Sequence, residues 1–210
     1  RGPRTPRRPA PQGMTNGVDR VAAAIAAIDA ANAEDPNLID DRGTPRPKEL
    51  VHAERMTSWL ERLAPDADDA QRLAARAHHF RRWTSPRSDY PEGRAGYLRW
   101  RRDARARHAS EVDALLAGCG IDAEIRADTA RIISKDGLGR DGRVQTHEDA
   151  LCLVFFELQG LSIAALLGDR TGPVVAKTLA KMSPDGLRWL GEADVDPAVR
   201  DVIAAVTPPE

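Results

Sequence analysis

Apolar residues recur along this chain at spacings of three and four residues, in segments separated by proline and glycine. The first such segment runs from Asn16 to about Glu34. Five of its apolar residues share one helical face: Val18, Val21, Ala22, Ile25 and Ile28. No segment of useful length alternates apolar and polar residues as a half-buried strand does. The pattern predicts an all-α fold in which each helix buries one face.

Prolines and glycines mark the remaining breaks. They predict loops over about 36–47 and 84–93, because proline interrupts a helix and disfavours helical backbone in the residue before it. Further helices are predicted over about 47–63, 66–83, 94–117, 122–134, 144–158, 171–182 and 196–205. With 210 residues, the chain is of a size for one domain. We therefore expect a single compact multi-helix domain over residues 14–210.

The first thirteen residues differ in composition from the rest. They contain four arginines, four prolines and no acidic residue, and a segment with so little apolar content is expected to be a disordered tail. A nucleic-acid-binding arm is the rival interpretation of this stretch.

Overall charge and cysteine content exclude some partners. The formal net charge is −1, so no global field favours nucleic acid or a membrane. The most apolar run, Leu151–Phe156, is far too short to span a bilayer. Cys119 and Cys152 lie on separate predicted helices, which makes a disulfide framework improbable. A cytoplasmic protein without a membrane partner is expected.

Several histidine and carboxylate residues lie on helix faces that the apolar pattern predicts to point into the protein interior. His108 shares a predicted face with apolar and aromatic residues, and Asp149 opens the most apolar helix. The pair His78-His79 ends an alanine-rich segment. Adjacent helical residues point about 100° apart, so at most one of the pair is expected beside His108. These residue types predict a divalent metal site, and the alternative is that the histidines are surface or hydrogen-bonded core residues.

Arginines and aromatic residues are concentrated between Arg76 and Arg107. Guanidinium groups bind phosphate or carboxylate in a bidentate manner, and aromatic rings offer stacking surfaces. The residues that flank the 84–93 loop and the histidine-bearing helices are the predicted anion-binding set: Arg82, Arg87, Tyr90, Arg94 and Arg101. The alternative is a solvated helix face that pairs with acids elsewhere in this nearly neutral chain.

Two segments and one later aspartate resemble the pattern of HD domains, which are all-helical, metal-dependent and in many cases phosphohydrolases. His52-Ala-Glu-Arg-Met56 resembles the first helix of that pattern, and Ala74–Phe80 resembles the helix that ends in a His-Asp pair. His79 stands where the HD pattern has aspartate. Asp149 lies at a plausible place for the last ligand. The resemblance implies an HD-like fold and metal-dependent hydrolysis.

A broader resemblance runs from about Val18 to Gly186. The sequence is similar to the uncharacterised domain-of-unknown-function family 4202, through segments that include Ile25–Asn32, Leu73–His79, Arg94–Arg101, Cys152–Phe155 and Lys181–Pro184. The family pattern has glutamine in place of His78 and no fixed histidine at positions 52 or 147. The resemblance therefore implies a metal site of His79, His108 and Asp149, with Glu54 and Glu148 as catalytic or supporting carboxylates.

These expectations combine into one leading hypothesis. Under this hypothesis, the protein is a hydrolase that uses a divalent metal (Zn, Mn or Fe) to cleave a phosphate-containing small molecule or nucleotide held by arginines. The alternative is a non-catalytic helical module that binds a nucleotide or RNA through the arginine and aromatic surface, although nucleic acid is not the favoured partner. A helical adaptor without a small ligand is a third possibility.

Overall fold

Helices make up most of the part of the chain that this computed structural model describes, residues 17–158, 168 and 171–207. Their bounds are α1 Gly17–Asn32, α2 Lys48–Leu63, α3 Asp69–Ala77, α4 Gly93–Gly118, α5 Ala123–Ser134, α6 Gly142–Leu158, α7 Thr171–Leu179, α8 Pro184–Leu190 and α9 Pro197–Val206. The predicted all-α class is confirmed. The predicted tail at 1–13 lies outside the described residues. Within those residues, no helix has the length and apolar character needed to cross a membrane.

A short hairpin occupies the segment that the sequence predicts as a loop between α1 and α2. Strand β1 (Leu38–Asp41) pairs antiparallel with β2 (Thr44–Pro47). The two turn residues, Arg42 and Gly43, have φ values of 57° and 84°. Two consecutive positive φ values give a turn whose twist matches that of a hairpin. The hairpin leads directly into the first turn of α2.

The alanine-rich helix α3 lies at the centre of the helix packing. It contacts α1, α2, α5 and α6. Ala74, Ala75 and Ala77 are fully buried, and their small side chains let neighbouring backbones approach closely. Helix α6 packs against α2 and buries Leu153 and Phe156 in the largest apolar cluster. The last residues of α3 and the first turns of α2 and α6 therefore meet in the interior.

Helix α3 ends at Ala77, about six residues before the end predicted from the sequence. The ring of His108 donates from Nε2 to the Ala77 carbonyl oxygen over 2.7 Å, and the same oxygen accepts the Phe80 backbone N–H at 2.9 Å, so the carbonyl is satisfied without a further helical turn. Arg81 adopts left-handed backbone at φ 48°, and its N–H donates to Asn32 Oδ1 at 3.1 Å. Because other helices supply the bonds made by His108 and Asn32, His78 and His79 lie in a turn rather than within a helix.

Candidate metal and anion site

Three side chains bring possible ligand atoms to within 4.8 Å of one another: Glu49, His52 and His79. Glu49 and His52 are three residues apart in the first turns of α2, so they share one face of that helix. His79 reaches the same point from the turn after α3. Within the part of the chain that the structure describes, this is the group that meets the geometric requirement for three metal ligands.

Bonds from the preceding segment fix the start of α2. The buried carboxylate of Asp35 accepts the backbone N–H of Glu49 at 3.0 Å. The backbone N–H of Lys48 donates to the Asn37 carbonyl oxygen at 2.9 Å. These bonds satisfy amides that a helix N-terminus leaves free. The position of Glu49 is therefore held by structure outside the helix itself.

The imidazole of His52 is buried and uncharged. Its side chain is 1% exposed, and its ring stacks on that of His79 with centroids 3.9 Å apart. Burial, with a smaller effect of the neighbouring His79, holds the pKa of His52 well below its usual value. The neutral imidazole is the form that binds a metal ion.

Neither ring nitrogen of His52 has a hydrogen-bond partner among the described residues. A buried polar atom without a partner costs about 1–3 kcal/mol, and native proteins satisfy most such atoms. A core histidine with a purely structural role usually has at least one hydrogen bond. The unpartnered nitrogens of His52 are therefore the strongest sign that the site receives a ligand.

His79 has partners on both sides, and they determine its tautomer. Nε2 lies 2.8 Å from a guanidinium nitrogen of Arg82, which can only donate, so Nε2 accepts. Nδ1 then carries the proton and donates to Glu49 Oε2 over 3.1 Å. Burial lowers the pKa of His79 well below its usual value and raises the pKa of Glu49. A metal ion at this point would replace the shared proton.

Two more histidines extend the cluster. His78 Nδ1 and His147 Nε2 lie 2.8 Å apart, and the two ring centroids are separated by 4.8 Å. Burial lowers the pKa of His78 well below its usual value and that of His147 to about 3. His78 also stacks at 6.1 Å from His52. The result is a continuous layer of neutral imidazoles across α2, the end of α3 and α6.

A cavity of about 530 Å³ opens beside this layer and is partly lined by His78, His79 and His108. Among the described residues, two acidic side chains line it, Asp113 and Glu148. Tyr97, Trp100 and Phe155 provide aromatic wall. Seven basic residues also contribute to the lining: Arg82, Arg101, Arg105, Arg107, Arg126, Lys135 and Lys181. Basic side chains therefore outnumber acidic ones in the lining, and such a charge distribution favours an anionic ligand over a cationic one.

Comparison with known families agrees with the broad resemblance of the sequence. The model of the family described as "Domain of unknown function (DUF4202)" matches residues 22–203. The chain belongs to this family. No curated protein and no solved structure matches the chain. Because the family description names no activity, the function of this DUF4202 protein has to be argued from its site.

The structure places the three predicted metal ligands of this DUF4202 protein in different environments. His79 belongs to the cluster with Glu49 and His52. His108 lines the cavity, but its Nε2 is bonded to the Ala77 carbonyl oxygen. Asp149 accepts the backbone N–H and the hydroxyl of Ser183 at 2.8 and 2.6 Å. Neither His108 nor Asp149 is part of the three-ligand group.

The two predicted catalytic carboxylates pair with basic residues. Glu54 binds Arg46 through both oxygens, at 2.8 and 2.9 Å. Glu148 is buried and lies 2.5 Å from the ammonium of Lys135 and 3.6 Å from that of Lys181. Glu148 lines the cavity and Glu54 does not. A catalytic role for either carboxylate stays a prediction.

The predicted anion-binding residues divide into two groups. Arg82 and Arg101 line the cavity. Arg87 donates to the carbonyl oxygens of Tyr90 and Pro91, each at 2.8 Å, and so closes its own loop. Arg94 is exposed at the start of α4. Arg87, Tyr90 and Arg94 are not among the lining residues of the cavity.

Sequence reasoning missed residues that the structure places at the site. The family pattern weighed against His52, and Glu49 was not considered. A signal was present, because Glu49-Leu50-Val51-His52 has the Glu-x-x-His spacing that places a carboxylate and an imidazole on one helix face. Lys135 and Lys181 carried no comparable signal, since their approach to Glu148 depends on how α5, α6 and α7 pack.

Proposed function

We propose that this protein is a metal-dependent hydrolase of a phosphate-containing small molecule, with a divalent ion held by Glu49, His52 and His79. The observation that carries the proposal is His52, a buried neutral imidazole whose two nitrogens have no partner among the described residues. A bound ion would give one of those nitrogens a partner. It would also balance the buried carboxylate of Glu49.

The donor set suits several metals. Two imidazoles and one carboxylate are accepted by zinc, manganese and iron, and three protein ligands leave a position open for water or substrate. A metal ion in such a site lowers the pKa of bound water and polarises a phosphoryl oxygen. This chemistry is also what the resemblance to HD domains implies, and an HD-like arrangement of the helices is part of the proposal.

The cavity supports a phosphate-containing substrate. His79 belongs both to the metal-ligand group and to the cavity wall. Arg82 contacts His79 and lines the cavity with Arg101. An anionic group bound by these arginines would lie beside the cluster. We assign Arg82 and Arg101 to binding and orienting the substrate.

Metal analysis of the purified protein tests the proposal. The protein is stripped with chelator, incubated separately with zinc, manganese and iron(II), desalted, and analysed for metal per chain. One ion per chain is expected, with loss of that ion in His52→Ala and Glu49→Gln. Glu61→Gln is the matched control, because Glu61 is an exposed carboxylate on the same helix. Hydrolysis of p-nitrophenyl phosphate and nucleotides should follow metal content.

Two results would overturn the proposal. The first is a folded wild-type protein that retains none of the three metals. The second is unchanged metal content in both site variants, which would place the ion elsewhere. If the protein binds metal but hydrolyses none of the phosphate esters tested, the proposed hydrolase reaction is refuted and the proposed metal site is retained.

One observation favours a non-catalytic binding module as the second candidate. The N-terminal half of α4 carries Tyr97 and Leu98 at 43% and 51% exposure, and exposed arginines at 99, 101, 102 and 105. Such a surface can bind a nucleotide or RNA through charge and stacking. Affinity for RNA that falls steeply with salt, in a protein that binds no metal, would support this candidate.

A further inference from the structure

Glu148 holds two lysines at the wall of the cavity. Its carboxylate is 1% exposed and lies 2.5 Å from Lys135 Nζ and 3.6 Å from Lys181 Nζ. Both lysines line the cavity. One negative charge between two positive charges leaves a net positive charge at this wall. The lysines are therefore held close together by an interior anchor.

The backbone around each lysine is held in place. Lys135 ends α5 in left-handed backbone at φ 62°, which is unfavourable for a residue other than glycine or asparagine. The carbonyl oxygen of Lys181 accepts from the Gln145 side chain at 2.9 Å. Gln145 also bonds to Asp149, whose carboxylate holds Ser183. The two ammonium groups thus approach the cavity from α5 and from the segment after α7.

Three arginines that line the cavity have no acidic partner among the described residues: Arg82, Arg101 and Arg105. Arg126, by contrast, pairs with Asp113. Arg82 instead donates to the neutral His79. Uncompensated positive charge therefore comes from Arg82 in the turn after α3, from Arg101 and Arg105 on α4, and from the lysine pair. A single phosphate group, with at most two negative charges, would leave part of this charge unbalanced.

We propose that Lys135 and Lys181 form a second anion subsite, so that the ligand of the cavity carries two phosphate groups. One group would lie at Arg82 and Arg101, and the other at the lysines. Glu148 acts as a positioning residue that keeps both ammonium groups at the wall. As a statement about the substrate, this rests on the proposed function, but binding to the subsite does not require the metal.

Binding of small phosphates to chelator-treated protein tests the subsite separately from the metal. Calorimetry would compare inorganic phosphate, pyrophosphate, a nucleoside diphosphate and a hexose bisphosphate at one fixed ionic strength. Pyrophosphate should bind at least roughly 10-fold more tightly than phosphate, since a charge-assisted hydrogen bond is worth ~1.5–3 kcal/mol. The two organic compounds show whether adjacent or separated phosphates fit better.

Variants of the two lysines then test where the second phosphate group binds. Lys135→Met and Lys181→Met should each weaken pyrophosphate binding by roughly 10-fold or more, from the same bond energies, and should reduce its advantage over phosphate. Lys177→Met is the matched control, because this exposed lysine lies four residues before Lys181 and does not line the cavity. Circular dichroism confirms that each variant is folded, and Lys181, with a side chain 49% exposed, is the safer substitution.

The outcomes separate the two proposals. The second subsite would be overturned, whatever the metal content, if pyrophosphate, the nucleoside diphosphate and the hexose bisphosphate all bind no more tightly than phosphate. An equal loss in Lys177→Met would also overturn it, because general charge would then explain the binding. Pyrophosphate binding that depends on both lysines, in a protein that takes up none of the three metals when they are offered, would support the subsite and refute only the proposed function.

Discussion

The ring of His52 stacks on that of His79 with centroids 3.9 Å apart and planes inclined by 25°. Two imidazoles at this distance cannot both be charged imidazolium ions without strong repulsion, and burial disfavours even one positive charge. The two nitrogens of His52 have no partner among the described residues, so one of them is available as a lone-pair donor near the carboxylate of Glu49. This pair therefore supports the proposal of a metal site in the interior of the helical domain.

Replacing His52 with leucine should separate metal binding from fold stability. Leucine has a similar volume and no polar atom to leave unpartnered, so the chelator-treated variant should be as stable as wild type, or more so. The wild type at a metal concentration of 100 times Kd should gain ~2.7 kcal/mol, a rise in Tm of roughly 5–10 °C. The variant should gain nothing. Thermal melts with and without metal measure both effects.

His52→Asn is a useful companion to that experiment. Asparagine keeps buried polar atoms but is shorter than histidine, so the chelator-treated Asn variant should be less stable than the leucine variant. If leucine instead destabilises the metal-free protein by more than about 3 kcal/mol, the cost usually associated with buried polar networks, then His52 has bonds that the structure does not show.

The substitution Asp149→Asn tests two roles for this carboxylate. It is a metal ligand, as its sequence position predicts, or it holds Ser183 in place by hydrogen bonds. The carboxylate accepts two bonds from Ser183, and the hydroxyl in turn caps α8 by accepting the N–H of Gly186. An amide cannot accept both bonds equally well, so a loss of about 2–3 kcal/mol is expected. Metal content per chain should not change.

Ser183→Ala provides the matched comparison, with an expected loss of about 1–2 kcal/mol from the missing cap. The two substitutions should be strongly non-additive, because they remove the same interaction. Loss of metal from Asp149→Asn without loss of stability would favour the ligand role. Chemical denaturation and metal analysis of the same samples give both quantities.

Gly96→Ala should destabilise the start of α4. A Cβ built at Gly96 would lie 1.8 Å from the carbonyl oxygen of Pro91, a backbone atom that cannot move without displacing the loop. The clash should exceed the ~1 kcal/mol that alanine gains over glycine in a helix, giving a net loss of roughly 1–3 kcal/mol. Denaturant titration measures it.

Gly118→Ala is the control in the same helix. A Cβ there would meet nothing within 4 Å, so this substitution should be neutral or stabilise by about 0.4–1 kcal/mol. Equal stability of the two variants would show that the Pro91 loop yields easily. Because Arg87 donates to the Pro91 carbonyl oxygen, Gly96→Ala should also loosen the loop that the sequence predicts beside the site.

Local periodicity was sufficient to predict the fold class. Helices α2, α4, α5 and α6 begin and end within a few residues of the predicted positions, because their apolar faces and their proline and glycine breaks are encoded locally. The end of α3 was not predictable in this way. His108 and Asn32 determine it by bonds from distant parts of the chain.

The candidate site shows the same division between local and distant information. The region was predictable, because His79 ends an alanine-rich segment and arginines cluster after it. The sequence did not predict which residues would form the metal-ligand group, because the contact between His52 and His79 depends on how α2 packs against α3. For Asp149, the local sequence suggested a metal ligand that the structure does not place in the metal-ligand group. A buried carboxylate opening an apolar helix suggests a ligand, yet its partner, Ser183, is thirty-four positions away.

Acid should weaken the attachment of the hairpin to α2. Asp41 accepts from Arg46 at 2.7 Å and from Arg55 at 2.9 Å, and these guanidinium groups, Arg46 first, lower the pKa of Asp41. A lowered folded-state pKa means that the stabilisation is complete above the unfolded value of ~3.9 and is lost as pH falls through the folded value. Asp41→Asn should cost less than about 1 kcal/mol at pH 7.

The cost of Asp41→Asn should shrink as the pH falls below the unfolded value of ~3.9 and through the lowered folded-state pKa of Asp41, where the wild-type carboxyl also becomes protonated. Urea titrations of wild type and variant between pH 2.5 and 7 would show the two curves converging. Asp66→Asn, an exposed carboxylate, is the control and should show no such convergence. A difference between wild type and Asp41→Asn that stays constant with pH would mean that the ion pairs with Arg46 and Arg55 contribute nothing.

Cys152 should resist alkylation while Cys119 reacts. Burial raises the pKa of the Cys152 thiol to about 12, so at pH 8 only about one molecule in ten thousand carries the reactive thiolate. Cys119 is partly exposed at the end of α4. Iodoacetamide followed by peptide mass spectrometry should label Cys119 in the folded protein and both cysteines in urea. Labelling of Cys152 at a comparable rate under native conditions would mean that α6 opens to solvent, contrary to a rigid wall for the cavity.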